Sequence, residues 1–256
     1  MAREKAFKQM VTTHKNPDEI QGRDSFLSPR YATRLLIPFL NTLQTVLPFA
    51  PLRIWEPAAN DGRIVRPLRD AGFTVTSTDI SDKAENILNF ITEDWNFEDD
   101  FDCVVTNPPF SIRKEFIEKA VEYDKPCAFL INADYSAEAI KWVKDYGFHK
   151  IVPNRRISFL TPNIVKRVHY GEVWEIVKPN YPEYKKYKEV PEEIWKIILN
   201  KHKKVHNYSS IDEVPNELLK KYSSAQFHSL WLVRGFGLSG TETFVDLPLS
   251  WMKDIK

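Results

Sequence analysis

The chain has little that would tie it to a membrane, a metal or an oxidising compartment. Among its 256 residues only Cys103 and Cys127 are cysteines. Both lie in apolar runs typical of strands, which favours two buried thiols over a disulfide or a metal site. No apolar run approaches the roughly 20 residues that span a bilayer, and the polar residues 1–10 lack the apolar segment of a signal peptide. We therefore expect a reduced, cytoplasmic protein without a metal.

A strong net charge is also missing, since 36 Lys and Arg nearly balance 35 Asp and Glu. The charge is nevertheless unevenly distributed along the chain. Residues 30–149 are richer in acidic side chains, whereas residues 150–221 carry an excess of Lys and Arg. The later segment suits a polyanion, although an ordinary solvated basic surface explains the same composition.

Strand and helix patterns alternate over the first part of the chain. Apolar runs predict strands at residues 52–56, 74–80, 101–106, 127–133 and 150–153, and periodic patterns predict helices at residues 62–71, 112–123 and 137–146. An earlier helix is predicted over residues 29–47, with Ser28 as N-cap and Pro29 in the first turn. This order predicts an α/β fold with a doubly wound, mainly parallel sheet.

The alternation stops between residues 157 and 226, where prolines, tyrosines and lysines are frequent. Residues 229–234 then form one more predicted strand, followed by a short tail. A connection this long without its own structure is rare in compact domains, so we expect an insertion. The predicted organisation is an N-terminal extension (1–24), an α/β domain (25–156 and 227–256) and an inserted region (157–226).

The most informative segment is Asn107-Pro108-Pro109-Phe110, directly after a buried strand. Two consecutive prolines end a strand and form a stiff corner. The corner holds the Asn107 amide and the Phe110 ring at the carboxyl end of a strand, where open α/β sheets bind ligands. A rigid amide beside an aromatic ring suits a planar group with an exocyclic NH2, which is the chemistry of amino methylation.

Three other segments could bind a ligand at the same edge. The turn at residues 56–62 is rich in small residues, which lets backbone amides approach a ligand, and Asn60 and Gly62 are types that tolerate a positive φ. Asp79 ends the second strand, where an acid can accept both hydroxyls of a ribose. Asp94-Trp95 offers an acceptor beside a stacking indole. Each segment alone is also typical of an ordinary turn.

In this order and spacing the segments EPAANDG, TDI, EDW and TNPPF resemble motifs I to IV of S-adenosylmethionine-dependent amino-methyltransferases, and the likeness is closest to the DNA adenine-N6 methyltransferases. Residues 26–36 resemble motif X of that family, and their position before motif I matches its gamma order. The resemblance covers about residues 25–135 and the final strand. It implies a Rossmann-like, seven-stranded methyltransferase sheet, with the insertion before its last strand selecting the target.

The resemblance also assigns roles to residues. Asn107 and the Pro108 carbonyl would accept hydrogen bonds from the target NH2 and Phe110 would stack on the extruded base, so the implied catalytic segment is Asn107, Pro108, Pro109 and Phe110. The implied S-adenosylmethionine-binding residues are Phe26, Ser28, Pro29, Glu56, Pro57, Ala58, Gly62, Asp79, Ile80, Asp94, Trp95 and Asn107. The family usually has glycine at the position of Asn60.

The inserted region interleaves aromatic and basic side chains, a pattern suited to phosphates and bases. The candidate nucleic-acid contacts are Arg155, Arg156, Tyr184, Lys185, Lys186 and Lys188. DNA is the expected partner. RNA adenine, cytosine and a protein glutamine amide remain alternative targets, and a catalytically silent nucleic-acid-binding module is a further alternative. A companion endonuclease is left open.

Overall fold

A computed structural model describes residues 26–47, 51–81, 85–93, 100–161, 163–205, 207–223 and 228–255. These residues form a single sheet with helices on both faces. The strands are β1 (Arg53–Glu56), β2 (Thr74–Asp79), β3 (Asn86–Ile87), β4 (Cys103–Thr106), β5 (Cys127–Asn132), β6 (His149–Pro153), β7 (Ser229–Arg234) and β8 (Glu242–Val245). The helices are α1 (Arg30–Arg34), α2 (Ile37–Val46), α3 (Val65–Asp70), α4 (Arg113–Glu122), α5 (Ala137–Asp145), α6 (Ile164–Val177), α7 (Glu192–Lys201) and α8 (Asn216–Tyr222).

The strand order is β3-β2-β1-β4-β5-β7-β6-β8. β7 runs antiparallel to β5 and β6, whereas the other neighbouring pairs are parallel. The chain therefore winds outward in one direction from β1 to β3 and in the other direction from β4. Such a reversal opens a crevice at the carboxyl ends of the central strands. The predicted doubly wound, mainly parallel sheet is confirmed.

The strand count differs from the prediction. The resemblance implied seven strands and apolar runs predicted six, whereas the described residues contain eight. The two strands that no apolar run predicted are the short β3 and β8, and β8 comes from the stretch that we expected to be a tail after the last strand. β8 pairs in parallel with β6 at the edge of the sheet. None of its residues is fully buried, and Phe244 is 73% exposed. An edge strand that buries so little needs no alternating apolar pattern, so the sequence carried only a weak signal for it.

The predicted helix over residues 29–47 is instead two helices, α1 and α2. Pro38 lies in the first turn of α2, where its missing N–H is tolerated, whereas in a continuous helix its ring would clash with the preceding turn. The expected Ser28 N-cap is also wrong. Pro29 occupies the N-cap position of α1 without a side-chain hydrogen bond, and the hydroxyl of Ser28 is bonded elsewhere.

Two hydrophobic layers cover the sheet because side chains alternate between its faces. On one face Ile54, Leu130 and Trp231 pack with Tyr31 and Leu36 from the α1–α2 segment. On the other face the aromatic residues Trp55, Phe90, Phe101, Phe116 and Phe129 pack together with Trp142 of α5. The free cysteines Cys103 and Cys127 are both buried, as expected.

The segment after β6 returns to the first face of the sheet. Leu27 and Leu160 form an antiparallel bridge with backbone N···O distances of 2.8 and 3.0 Å. α6 begins in the main core through Ile164 and Val168. Its carboxyl half forms a separate small cluster in which Trp174 packs with Trp195 of α7. α6 therefore connects the sheet to the basic part of the chain.

Candidate active site

The site lies at the carboxyl edge of the central strands. β1 ends at Glu56, β2 at Asp79 and β4 at Thr106, which is followed by Asn107. β1 pairs with both β2 and β4, and all three strands are parallel. Their last residues therefore meet at one edge. The fold thus brings together Glu56, Asp79 and Asn107. The first and the last of these residues are 51 positions apart in the sequence.

Glu56 is fully buried at this edge. Its Oε1 accepts hydrogen bonds from the Ala58 N–H at 3.0 Å and from the Thr106 hydroxyl at 2.5 Å, whereas its Oε2 has no partner. Burial raises the pKa of Glu56 to about 8, because desolvation outweighs both hydrogen bonds. A buried acceptor without a donor is unfavourable, so Oε2 is suited to a cationic ligand group such as an ammonium.

Asp79 is held by two backbone amides from opposite sides. Its Oδ2 accepts from Asn60 N at 2.9 Å and its Oδ1 from Ser81 N at 2.8 Å. Asn60 has φ 47° and Gly62 has φ 79°, as expected for a tight turn that tolerates these two residue types. Each carboxylate oxygen retains a further lone pair. The carboxylate is therefore fixed in place and still able to accept two hydroxyl donors.

The Pro-Pro corner presents the Asn107 amide to the first face of the sheet. Asn107 Nδ2 donates to the buried hydroxyl of Ser28 at 3.2 Å, whereas Asn107 Oδ1 is buried without a partner. Ser28 thus orients the amide and leaves its acceptor available. Pro109 then leads into a short 3-10 turn, Phe110–Ile112.

A row of aromatic rings involves the two segments that carry Asn107 and Ser28. Phe110 is half-buried and meets Phe26 edge-on with ring centroids 5.7 Å apart, and Phe26 in turn meets Phe159 at 6.4 Å. Phe26 lies two residues before Ser28, so the same short segment supplies a ring and the hydroxyl that holds Asn107. The arrangement forms an apolar surround for a planar group beside an amide acceptor.

The remaining predicted cofactor residues are distributed around the turn and the second strand. Pro29 and Pro57 are buried, Ala58 is half-buried, and Ile80 is 66% exposed directly after Asp79. An apolar side chain exposed at this edge offers a surface for a flat ring. Asp94 and Trp95 lie outside the described residues.

The predicted nucleic-acid contacts fall in two places. Arg155 and Arg156 follow β6 at the same edge of the sheet; Arg155 donates to the Leu247 carbonyl at 2.6 Å, and Arg156 is exposed. Tyr184 packs against the cluster of α6 and α7, and the neighbouring lysines 185, 186 and 188 are exposed. Among the described residues, no hydrogen bond or ion pair joins these two groups.

Sequence reasoning missed two residues of the site. Thr106 bonds Glu56, and Phe159 completes the row of aromatic rings. In the sequence, Thr106 is simply the last residue of a predicted buried strand, and Phe159 lies in a segment without a motif. Only the pairing of β1 with β4 and of residue 160 with residue 27 brings them to the site.

The described residues contain no group of His, Cys, Asp and Glu side chains arranged to hold a metal ion. In the same part of the chain, no helix is both long and apolar enough to cross a membrane.

Apart from the edge strand β8, the strand order, with an antiparallel strand between β5 and β6, is that of the Rossmann-like methyltransferase fold. No protein-family model and no curated protein matches the chain. Among solved structures, a protein of Pyrococcus horikoshii described as an RNA methyltransferase is 16% identical and has a TM-score of 0.44, covering 62% of this chain and 89% of its own.

Two further similar structures were determined with the cofactor or its product bound. The plantazolicin methyltransferase BpumL, in complex with SAH, is 10% identical with a TM-score of 0.35, over 91% of this chain and 98% of its own. The glycopeptide N-methyltransferase MtfA, in complex with S-adenosyl-L-methionine, is 14% identical with a TM-score of 0.31, over 44% of this chain and 58% of its own. At this level of similarity, the function has to be argued from the site itself.

Proposed function

We propose that the protein transfers a methyl group from S-adenosylmethionine to the N6 amino group of adenine in DNA. The observation that carries the proposal is the unpartnered, buried Asn107 Oδ1 at the stiff corner, with Phe110 beside it. An acceptor held in this way matches a planar group that carries an amino donor. This rests on the geometry of the site together with the resemblance of its motifs.

The residues at the edge fit the proposed cofactor. Glu56 Oε2, buried and unpartnered, matches the ammonium of a methionine moiety. Asp79, fixed by two backbone amides, matches the two ribose hydroxyls, and the exposed Ile80 side chain matches a face of the adenine ring. When bound, the cofactor supplies an electrophilic methyl group on a sulfonium.

The protein's own contribution is orientation of the amino nitrogen. The lone pair of an adenine amino group is delocalised into the ring, which makes the nitrogen a poor nucleophile. Asn107 Oδ1 and the Pro108 carbonyl accept its two N–H bonds, which favours a more tetrahedral nitrogen with its lone pair directed at the methyl group. Such positioning and electrostatic effects can each contribute several kcal/mol. A strong base is not required, because the nitrogen becomes acidic once it carries the methyl group.

The target is proposed to be DNA that the basic part of the chain binds. Arg156 is exposed at the sheet edge, and Lys185, Lys186 and Lys188 are exposed in the segment that joins α6 to α7. Exposed cations of this kind bind phosphates without reading the sequence. In a duplex the base must leave the stack, at a cost of a few kcal/mol, before it can reach the recessed corner. Residues 157–226 are proposed to select the target.

The proposal is tested by incubating the protein with methyl-labelled S-adenosylmethionine and, separately, with duplex DNA, RNA or cell protein. We expect label in DNA, as N6-methyladenine. Label confined to RNA or to glutamine side chains would replace DNA by that substrate, and no label in any polymer would contradict the proposal. Sequencing of methylated bases in DNA from cells expressing the protein would then identify the sequence context.

An Asn107→Ala variant distinguishes the amide from the rest of the site. It should abolish methyl transfer and leave cofactor binding, measured by calorimetry, nearly intact, because the other implied cofactor residues, Glu56 and Asp79 among them, remain. Asn41→Ala is the matched control, because Asn41 is exposed on α2. Full activity of Asn107→Ala would refute the role of the corner.

A further inference from the structure

Two more buried side-chain oxygens without hydrogen-bond partners lie at the same sheet edge as Asn107. Asn132 Oδ1 at the end of β5 and Ser229 Oγ at the start of β7 are both buried, and neither has a hydrogen-bond partner. Asn132 and Ser229 are direct cross-strand partners in the antiparallel β5–β7 pair. Since buried polar groups in proteins are nearly always bonded, two neighbouring exceptions require an explanation.

The two side chains point to the face of the sheet that Asn107 serves. Leu130 and Trp231, each two residues away in the same strand, belong to the core layer that contains Tyr31 and Leu36. Because side chains alternate along a strand, Asn132 and Ser229 face the same layer. Asn107 faces that layer too, since its amide reaches Ser28.

The strand register sets how far apart these groups lie. Thr106 pairs with Phe129, so Asn107 follows opposite Leu130 and Asn132 lies two residues farther along β5. With strands about 4.8 Å apart and a rise of about 3.3 Å per residue, the Asn107 and Asn132 backbones are about 8 Å apart. This spacing is right for two side chains that approach one planar ring system from different sides.

The neighbouring charged and polar groups are already engaged. The Arg113 guanidinium is paired with Asp134, two residues after Asn132. His228, directly before Ser229, has its Nε2 on the Pro153 carbonyl at 2.8 Å. These groups are neighbours of Asn132 and Ser229 in the sequence, but none of them forms a hydrogen bond with Asn132 Oδ1 or Ser229 Oγ.

We infer that Asn132 contacts a ring nitrogen of the target adenine and that Ser229 positions the Asn132 amide for that contact. This inference rests on the proposed function and deepens it, because it adds a second residue that recognises the target base. Adenine held by its amino group at Asn107 offers only ring-nitrogen acceptors elsewhere. The two groups are not hydrogen-bonded to each other in the structure. When the base binds, rotation of the Ser229 hydroxyl would let it donate to Asn132 Oδ1, which directs the Asn132 Nδ2 donor to the ring. A hydroxyl and an amide across an antiparallel pair are within reach of one another.

A contact to N3 or N7 of the ring would also favour adenine over cytosine. With the amino group held at Asn107, cytosine N3 lies where adenine N1 lies, but cytosine has no counterpart of adenine N3 or N7. If the 3-deaza or 7-deaza analogue is the sensitive one, loss of Asn132 should therefore reduce the preference for adenine as well as the affinity for the substrate.

The test uses duplexes that contain, at the target position, adenine or its 1-deaza, 3-deaza or 7-deaza analogue, with wild type, Asn132→Ala and Ser229→Ala. For wild type we expect one of the analogues to raise KM about tenfold, the effect of one lost hydrogen bond. Asn132→Ala should raise KM for the adenine duplex by a similar factor. In this variant, replacing adenine by that same analogue should raise KM no further. Ser229→Ala should show a smaller rise in KM.

Controls separate a contact with the base from a loss of structure. Asn132→Ala must keep its melting temperature and its affinity for the cofactor, and Asn41→Ala should behave as wild type. An Asn132→Ala variant that is unchanged in KM, or as sensitive as wild type to all three analogues, would overturn the inference alone. A wild-type protein that methylates no adenine in DNA would instead overturn the proposed function and this inference with it. If Asn132→Ala does not fold, Asn132→Asp, which keeps the size and removes the amide donor, must show the same loss.

Discussion

Thr106 donates a 2.5 Å hydrogen bond to Glu56 and so joins the ends of β4 and β1 directly beneath the candidate site. The bond connects the segment proposed to hold the target amino group to the turn proposed to hold the cofactor. Thr106 directly precedes Asn107, so one hydrogen bond and one peptide link separate the Glu56 carboxyl from the corner. A change in the protonation state of Glu56 therefore changes the hydrogen-bond acceptor of the residue next to Asn107.

Stability without cofactor should fall as the pH rises from about 5 to 8. Burial raises the pKa of Glu56 from 4.5 to about 8, so the folded protein keeps a proton that the unfolded chain releases in this range. The folded state binds more protons here, and its free energy of unfolding decreases with pH by up to a few kcal/mol. Urea unfolding at pH 5, 6.5 and 8 measures the effect. In Glu56→Gln the free energy of unfolding should depend less on pH. An equal dependence on pH in both proteins would contradict the raised pKa of Glu56.

Binding of S-adenosylmethionine near pH 7 should release a proton. An ammonium beside Glu56 Oε2 favours the ionised carboxylate and lowers its pKa, so the buried group loses its proton on binding. Calorimetry in buffers of different ionisation enthalpy counts the protons released. The count should approach one for wild type and fall in Glu56→Gln, and a count that is equal in the two proteins would exclude Glu56 as the source.

Asp79→Ala should weaken the binding of S-adenosylhomocysteine by at least about tenfold. The substitution removes the acceptors proposed for the ribose hydroxyls and also leaves the Asn60 and Ser81 amides without their partner. Calorimetric titration measures the affinity. Asp145→Ala, at the exposed end of α5, is the matched control. An affinity within a factor of two of wild type would show that Asp79 does not contact the ligand.

Phe110→Ala should raise KM for the polynucleotide by about five- to a hundred-and-fiftyfold, because stacking on an aromatic ring contributes about 1–3 kcal/mol per base. Phe110→Tyr keeps the ring and should stay close to wild type. Cofactor affinity should change in neither variant. Steady-state kinetics with the methylated duplex as product measures KM; equal values for Ala and Tyr at this position would rule out stacking.

Gly171→Ala should destabilise the fold by about 1–3 kcal/mol through overpacking. A Cβ at Gly171 would clash with the ring of Tyr222, the residue that anchors α8 to α6 through Glu172. Urea denaturation measures the loss. The exposed Ile176, replaced by Ala on the same helix, is a control that should change little. Gly171→Ala should cost less stability when Tyr222 is already Ala, because the ring that clashes with the new Cβ is then absent. The comparison is between the double variant and Tyr222→Ala alone.

Much of the fold could be predicted from local patterns. The apolar runs that end at Glu56, Asp79 and Thr106 are strands, and the turn residues Asn60 and Gly62 adopt the positive φ that their types tolerate. The exceptions have local physical causes. The weakly buried edge strand β8 lacks an apolar pattern, and Pro38 divides a helix that hydrophobic periodicity alone would continue.

The sequence by itself determined the doubly wound sheet and the residue types at its edge, because periodicity, prolines and acidic strand ends are local signals. Only the tertiary structure decided which groups meet there. Ser28 bonds Asn107, Thr106 bonds Glu56, and Asn132 lies opposite Ser229. These pairings depend on strand order and register, which couple residues 50 to 97 positions apart and leave no trace in a short window of sequence.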